Sequence, residues 1–293
     1  MATIHPTAIV DPAAQFGEGV VIGAYSIIKG PVRIGPGTVI HEHSNLQGQT
    51  VIGRECQIGP AAYVGLPPQH MKADPNIGRL IVGDFVTIRE TATVHRAIAG
   101  GDEHATRLGN HCFIMGAVHI AHDCVLGDHA VAANGVLLGG HIQIGSRAFL
   151  GGGCALHQFV RVGRLAIIAG NETSTHDVPP FGALRYGALK AYNAVGCKRA
   201  GMDRNTIYAI RAAYRCLHGN RLVPAAVEAM RELNSDVPEV HELIDFITSS
   251  QRGIVPSHLS ARLMTKQGTG APDSDNPDFD QSGQARMKDA NPT

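Results

Sequence analysis

Large aliphatic residues recur every six positions along most of the chain. From Val10 the steps fall on Phe16, Ile22, Ile28, Ile34, Ile40, Leu46, Ile52, Ile58 and Val64, and they resume at Val82, Ile88 and Val94. Two residues out of phase, the series runs on through Leu108, Ile114, Ile120, Leu126, Ala132, Leu138, Ile144, Leu150, Leu156, Val162 and Ile168. With hydrophobic residues at 44% of the chain, chance does not sustain such a run. The residue four after the large one is small or β-branched almost everywhere, as at Val20, Ser26, Thr38, Ser44, Cys56, Cys112, Cys124 and Ala130. That residue lies two before the next large one, and residues two apart in a strand face the same side, so both point inward. Glycine often follows the large residue (Gly23, Gly35, Gly53, Gly127, Gly145), which permits a turn between short strands. The pattern predicts a parallel β-helix of hexapeptide repeats. Three hexapeptides close one triangular coil, and about eight coils at ~4.8 Å spacing make a prism about 40 Å long.

Two stretches interrupt the series. Residues 65–81 lose the apolar matches at His70 and Asn76, and residues 99–107 shift the register by two. Both read as polar loops leaving the prism. Beyond Ile168 the period ends, and the turn-rich DVPPFG (177–182) leads out of the repeats. The period then becomes helical. Asp203 caps a helix that carries Ile207, Ile210, Tyr214 and Leu217 on one face and stops at Gly219, and residues 223–233 and 238–250 form two more. The expected organisation is a β-helix over residues 1–187, a small helical domain over 188–265 and a disordered tail over 266–293, where the chain is polar and rich in Pro and Asp.

Composition narrows the functions. Lys plus Arg and Asp plus Glu are both 25, and this balance argues against a broad electrostatic grip on nucleic acid. No apolar run is long enough to span a membrane, and the N-terminal residues resemble no secretory signal, so a cytoplasmic protein is expected. Cys56, Cys112, Cys124 and Cys154 occupy small inward positions, and no Cys-x-x-Cys occurs. The thiols therefore read as packing groups rather than disulfides or metal ligands. Histidine is the candidate chemistry. His119 precedes inward Ile120 and projects outward; His122 and Asp123 fall in the next turn; His141 follows nearly one coil later, and His157 one coil after that. Imidazoles aligned on one edge of a prism suit proton transfer near neutral pH.

The segments HPTAIVDPAA, TIRETATVHR, HIAHDC, LGGHIQIG, ALHQF, DVPPFG and SSQRGI together resemble the acyl carrier protein-dependent UDP-N-acetylglucosamine O-acyltransferases that begin lipid A synthesis. The resemblance covers roughly residues 4–255, and HIAHDC with ALHQF is its specific part. It implies a mainly β protein, a left-handed parallel β-helix followed by a small C-terminal α-helical domain, whereas the usual crossover rule would favour the right hand. It implies His122 as general base on the sugar 3-hydroxyl, Asp123 as its support, and the Gly140 N–H facing the thioester oxyanion. Gln69, His70, Lys72, His95, His119, His141, His157 and Gln158 would line the sugar and acyl-donor site. Asn193 and Arg199 would hold the nucleotide end, and Gly170 would set acyl length. The implied co-substrates are an acyl carrier protein thioester and a UDP-sugar, with no cofactor, no metal and no nucleic acid, and the implied assembly is a homotrimer. Lys190, Lys198, Arg199, Arg204, Arg211 and Arg215 offer a docking face for the acidic carrier. The chain departs from the family pattern at His70, Val195 and Ala200, all on the sugar-nucleotide side, so a related amino sugar nucleotide is the alternative acceptor.

Three other readings compete. A coenzyme A-dependent acetyltransferase on the same prism would usually lack the HIAHDC and ALHQF pair and the helical tail. A zinc hydratase of the gamma carbonic anhydrase kind needs two imidazoles on one strand at a longer spacing than that of His119 and His122. A scaffold that only binds acyl carrier protein would show no turnover to lose on removing His122.

Overall fold

A computed structural model of the chain describes residues 1–257 apart from Pro75, Asp102, Glu103, Arg221 and Asn234. Short strands of mostly two to four residues wind into a left-handed parallel β-helix with three flat sheets. Along the coil a strand pairs with the one three further on, as Ile40 beside Ile58, Ile58 beside Ile88 and Ile88 beside Ile114. Every large position of the six-residue series is buried except Val10 and Phe16, near the N-terminal end. The stacked aliphatics therefore supply the folding force along the whole axis, at roughly 1.5–3 kcal/mol for each large side chain removed from water.

The small inward residues close the coil. Ser26, Thr38 and Ser44 donate their hydroxyls to the carbonyls of His41, Gly53 and Gly59, each at 2.8 Å. Cys56, Cys112 and Cys124 offer their thiols to the carbonyls of Gly83, Gly127 and Gly139 in the same way. Burial pushes the Cys112 thiol up to about 11 and the Cys124 and Cys154 thiols up to about 12, so they remain protonated packing groups. Many corner residues sit in the left-handed region without being glycine, among them Asp123, His141 and Phe159 on successive turns of one corner.

Three boundaries differ from the sequence expectation. The coil begins one strand earlier, at Thr3–Ile4, and one sheet has nine strands rather than about eight. The loops are shorter than 65–81 and 99–107, because Gly65 and Leu66 still extend the strand Tyr63–Leu66, the strand Arg79–Val82 re-enters before the first loop range ends, and Thr106 already pairs in Thr106–Leu108. Strand propensity in Leu80, Ile81 and Thr106 outweighs the broken period. At the C-terminal end, the strands Gly182–Arg185 and Ala188–Tyr192 form a hairpin on the prism sheet, so the sheet runs past residue 187. Its turn, Tyr186–Gly187, has φ of 53° and 67°, the combination that suits a tight two-residue hairpin. The Glu172 carboxylate accepts the N–H groups of both turn residues.

Four helices follow: α1 (Ala194–Arg199), α2 (Arg204–Gly219), α3 (Val223–Glu232) and α4 (Pro238–Thr248). The three longer ones lie where helical periodicity places them, and Asp203 caps α2 through the Thr206 N–H. Helix α1 is too short to show a period. Its signals are the Asn193 cap and the following Gly201. The helices dock through two arginines of the prism. Arg161 reaches buried Asp177 at 2.9 Å and the Phe246 carbonyl at 2.9 Å, while Arg164 reaches Glu242 at 2.7 Å and Glu239 at 3.1 Å. The expected tail, 266–293, and the end of the helical domain lie outside the described residues.

Candidate active site

Both loops leave the prism at the same corner, after the strands Tyr63–Leu66 and Thr93–His95. On the next rung this corner carries His122 and Asp123, directly after the strand His119–Ile120. The loops therefore wall the imidazole cluster. Nδ1 of His122 donates to Asp123 Oδ2 at 2.8 Å, which leaves Nε2 as the acceptor face of the ring. Asp123 is itself fixed: its Oδ2 accepts the Ile98 N–H from the second loop at 3.1 Å, and its own N–H donates to Thr106 Oγ1 at 2.8 Å. The His141 ring meets His122 edge-on at 5.1 Å and stacks on Phe159 at 4.6 Å. His70 of the first loop approaches His122 edge-on at 6.1 Å.

Although it falls in a turn, His122 is only 8% exposed: the surrounding loops and corner bury the ring. Gly140 is part of that packing. A Cβ at Gly140 would stand 2.4 Å from His122 Cε1 and 2.7 Å from Nε2. Any side chain there displaces the imidazole.

His95 and His119 lie on one face beside this corner. His95 is buried and donates Nδ1–H to the Pro67 carbonyl at 2.6 Å, anchoring the start of the first loop. His119 shares a 2.8 Å hydrogen bond with Thr93 Oγ1, and its ring stands 5.2 Å from His95. Burial pushes the His95, His119 and His141 imidazoles below their ordinary range. For His95 the Pro67 carbonyl opposes the shift and the His122 charge adds to it; for His119 the His95 charge adds; for His141 Asp123 opposes and His122 and His70 add. A lowered folded-state pKa means that the unfolded chain binds the proton more tightly. The stabilisation is therefore complete above the unfolded value of about 6.5 and is lost as pH falls through the lowered folded value. The thermal midpoint is expected to fall on acidification from pH 7 to pH 5, and less steeply in His95→Gln. Identical slopes for the two proteins would remove His95 from that transition.

His157 and Gln158 are exposed one rung beyond His141, and Nη2 of Arg252, from the SSQRGI segment, lies 3.3 Å from His157 Nδ1. Gln69 and Lys72 are exposed on the first loop near His70. Gly170 lies elsewhere, at the opposite edge of the nine-stranded sheet and three rungs along. There it borders an apolar cleft of about 470 Å³ lined by Phe149, Ile167, Leu184, Tyr192 and Val195, within the size range of small-molecule sites. The hairpin held by Glu172 forms one wall. Asn193 borders the same cleft, but both ends of its amide are engaged: Oδ1 caps α1 through the Gly196 N–H, and Nδ2 donates to the Leu165 carbonyl. Arg199 is exposed in the last turn of α1.

Known proteins share this prism and the helices that follow it. A protein of Syntrophobacter fumaroxidans named as an acyl-(acyl-carrier-protein):UDP-N-acetylglucosamine O-acyltransferase is 41% identical over 256 residues, covering 86% of this chain and 99% of its own. One of Halorhodospira halophila with the same name is 40% identical, covering 87% and 100%. The chain belongs to this O-acyltransferase family. The solved UDP-N-acetylglucosamine acyltransferase of Campylobacter jejuni superposes with a TM-score of 0.81 at 32% identity, over 87% of this chain and all of that one. That of Francisella novicida gives 0.83 at 30% identity, over 88% and 96%. The family's model for the second domain of UDP-N-acetylglucosamine O-acyltransferase matches residues 177–255, and the bacterial transferase hexapeptide model matches residues 13–48.

Within the O-acyltransferase fold the structure gathers His122, Asp123, Gly140, His141 and His70 at one corner, with His95 and His119 beside it. It separates them from Gly170 and Asn193. Phe159, Thr106 and the Ile98 N–H, which orient His141 and Asp123, escaped the sequence reading. Phe159 alone left a trace there, as the aromatic one turn after His141 in ALHQF. Glu172 escaped too, since nothing local ties it to a hairpin 14 residues on. None of the described helices is long and apolar enough to cross a membrane.

Proposed function

We propose that the chain transfers a 3-hydroxyacyl group from acyl carrier protein to the 3-hydroxyl of UDP-N-acetylglucosamine, the first step of lipid A biosynthesis, as a cytoplasmic homotrimer. The observation that carries the mechanism is the His122–Asp123 hydrogen bond, which aims Nε2 as a base. A sugar hydroxyl is a poor nucleophile near pH 7. As it attacks the thioester carbonyl, Nε2 of His122 takes its proton and Asp123 stabilises the imidazolium, for a gain typically of about 10²–10⁴. The Gly140 N–H faces the developing oxyanion, a donor of a kind worth about 3–4 kcal/mol. The proton on His122 then returns to the departing carrier thiolate.

The carrier is acidic, and α2 suits it. Arg204, Arg211 and Arg215 are exposed on α2, which contains no acidic residue. The floor of the acyl path is the outer face of the nine-stranded sheet, where half-exposed Leu137 lies between the base corner and the Gly170 cleft. Among the described residues that face stays open at Leu137, which fits a second wall supplied by a neighbouring subunit. Light scattering is expected to give a mass near three times 30.9 kDa, and a monomer at micromolar concentration would reject the trimer. The reaction is tested by release of free carrier thiol. Release should require both the 3-hydroxyacyl carrier and the UDP-sugar, and turnover with acetyl-coenzyme A alone would favour the acetyltransferase reading instead.

A further inference from the structure

We propose that His122, Asp123 and His141 form a binding site for a borderline divalent metal such as Zn²⁺, with His70 supplying a fourth ligand, and that the bound metal switches the centre off. Among the described residues this is the one group of three metal-ligating side chains whose donor atoms converge, all within 4.8 Å of one another. Zn²⁺ with bonds of about 2.0–2.2 Å in a tetrahedron needs donors about 3.3–3.6 Å apart. The observed separations bracket that range: 2.8 Å from His122 Nδ1 to Asp123 Oδ2, and 3.8 Å from His141 Nε2 to the same oxygen. Two or three imidazoles with one carboxylate favour Zn²⁺ or Co²⁺ over Mg²⁺ and Ca²⁺, which prefer all-oxygen sites.

The ligands are also held in advance. Asp123 is fixed by Ile98 and Thr106, and His141 is stacked on Phe159. Such outer contacts reduce the cost of ordering a metal site. His70 sits on an exposed loop with its Nδ1 accepting the Lys72 N–H at 3.3 Å, so its proton is on Nε2; ligation through Nε2 requires that proton to move to Nδ1 and the Lys72 contact to break, which makes His70 the weaker ligand. The consequence follows from proton accounting on His122. Neutral imidazole carries one proton, now on Nδ1 toward Asp123. A metal taking Nδ1 moves that proton to Nε2, and a ring protonated at Nε2 can no longer accept one from a hydroxyl. No other bond changes, so the block is reversible.

Binding is tested without turnover, by titrating the full-length protein with Co²⁺ and following its visible ligand-field absorption, and by calorimetry with Zn²⁺. One metal per chain is expected at micromolar concentration. His141→Ala should weaken it at least ~10-fold, and His70→Asn should weaken it by less. The exposed His111–His129 stack at 4.7 Å is the competing surface site, so His111→Ala should leave binding unchanged. Absence of saturable binding below millimolar metal, or binding that survives His141→Ala and disappears in His111→Ala, would overturn the site. The inhibitory part rests on the acyl-transfer reading. Zn²⁺ should stop thiol release and EDTA restore it, while full turnover with the metal bound would overturn the switch and leave the spectral result standing.

Discussion

His122→Ala is expected to lower kcat by at least ~10²-fold, a loss of about 2.7 kcal/mol of transition-state stabilisation. The ring is the only imidazole of the corner whose Nδ1 donates to a fixed carboxylate, among the described hydrogen bonds. Neither His141 nor His70 has that orientation, so neither substitutes for it. Because the side chain is mostly buried, truncation also leaves a small cavity, and activity has to be compared at a temperature where circular dichroism shows both proteins folded. Asp123→Asn should cost a similar order in kcat with little change in KM, since the amide can present N–H to Nδ1 and favour the wrong tautomer. Turnover like wild type in His122→Ala would take that residue out of the chemistry.

The second large effect concerns chain length. An apolar tail gains about 0.8 kcal/mol per buried CH₂ until it meets the end of its groove. Gly170 leaves the cleft open, so a preference for 3-hydroxyacyl chains of about fourteen carbons is expected. The Gly170 backbone is outside the left-handed region, but an added Cβ would stand 3.1 Å from the Gly152 carbonyl oxygen, a tight contact that a small shift of that rung has to relieve. Gly170→Met would narrow the cleft at the cost of that shift, so circular dichroism has to show the variant folded before chain preferences are compared. At ~0.8 kcal/mol per CH₂, excluding about four carbons shifts preference by two orders of magnitude or more toward about ten. An unchanged preference among carrier-bound chains of graded length would show that the tail runs elsewhere.

Much of this was legible in the chain because a β-helix repeats one local rule. The six-residue series places Ile22 through Ile168 inside, and the same register puts His119 outward and His122 at a corner. What the period could not show was produced by partners distant in sequence. The burial of His122 comes from Gly140 and from two loops inserted before it. Asp123 is oriented by Ile98 and Thr106, 25 and 17 residues earlier. Asn193 follows the family pattern expected for nucleotide binding, yet its amide is engaged by α1 and the Leu165 carbonyl. The hairpin after Gly182 was hidden because Tyr186 is an unusual residue for a turn that needs positive φ, and Glu172 compensates from another rung. Strand propensity at Leu80 and Thr106 shortened both loops.

The most direct test of the account is the structure of the product. Purified protein with UDP-N-acetylglucosamine and a fourteen-carbon 3-hydroxyacyl carrier protein should yield a mono-acylated nucleotide sugar whose fragmentation places the ester on the 3-oxygen, and His122→Ala should abolish the signal. Acyl transfer to nitrogen or to another hydroxyl, or no transfer from any carrier-bound chain while a coenzyme A thioester reacts, would contradict it.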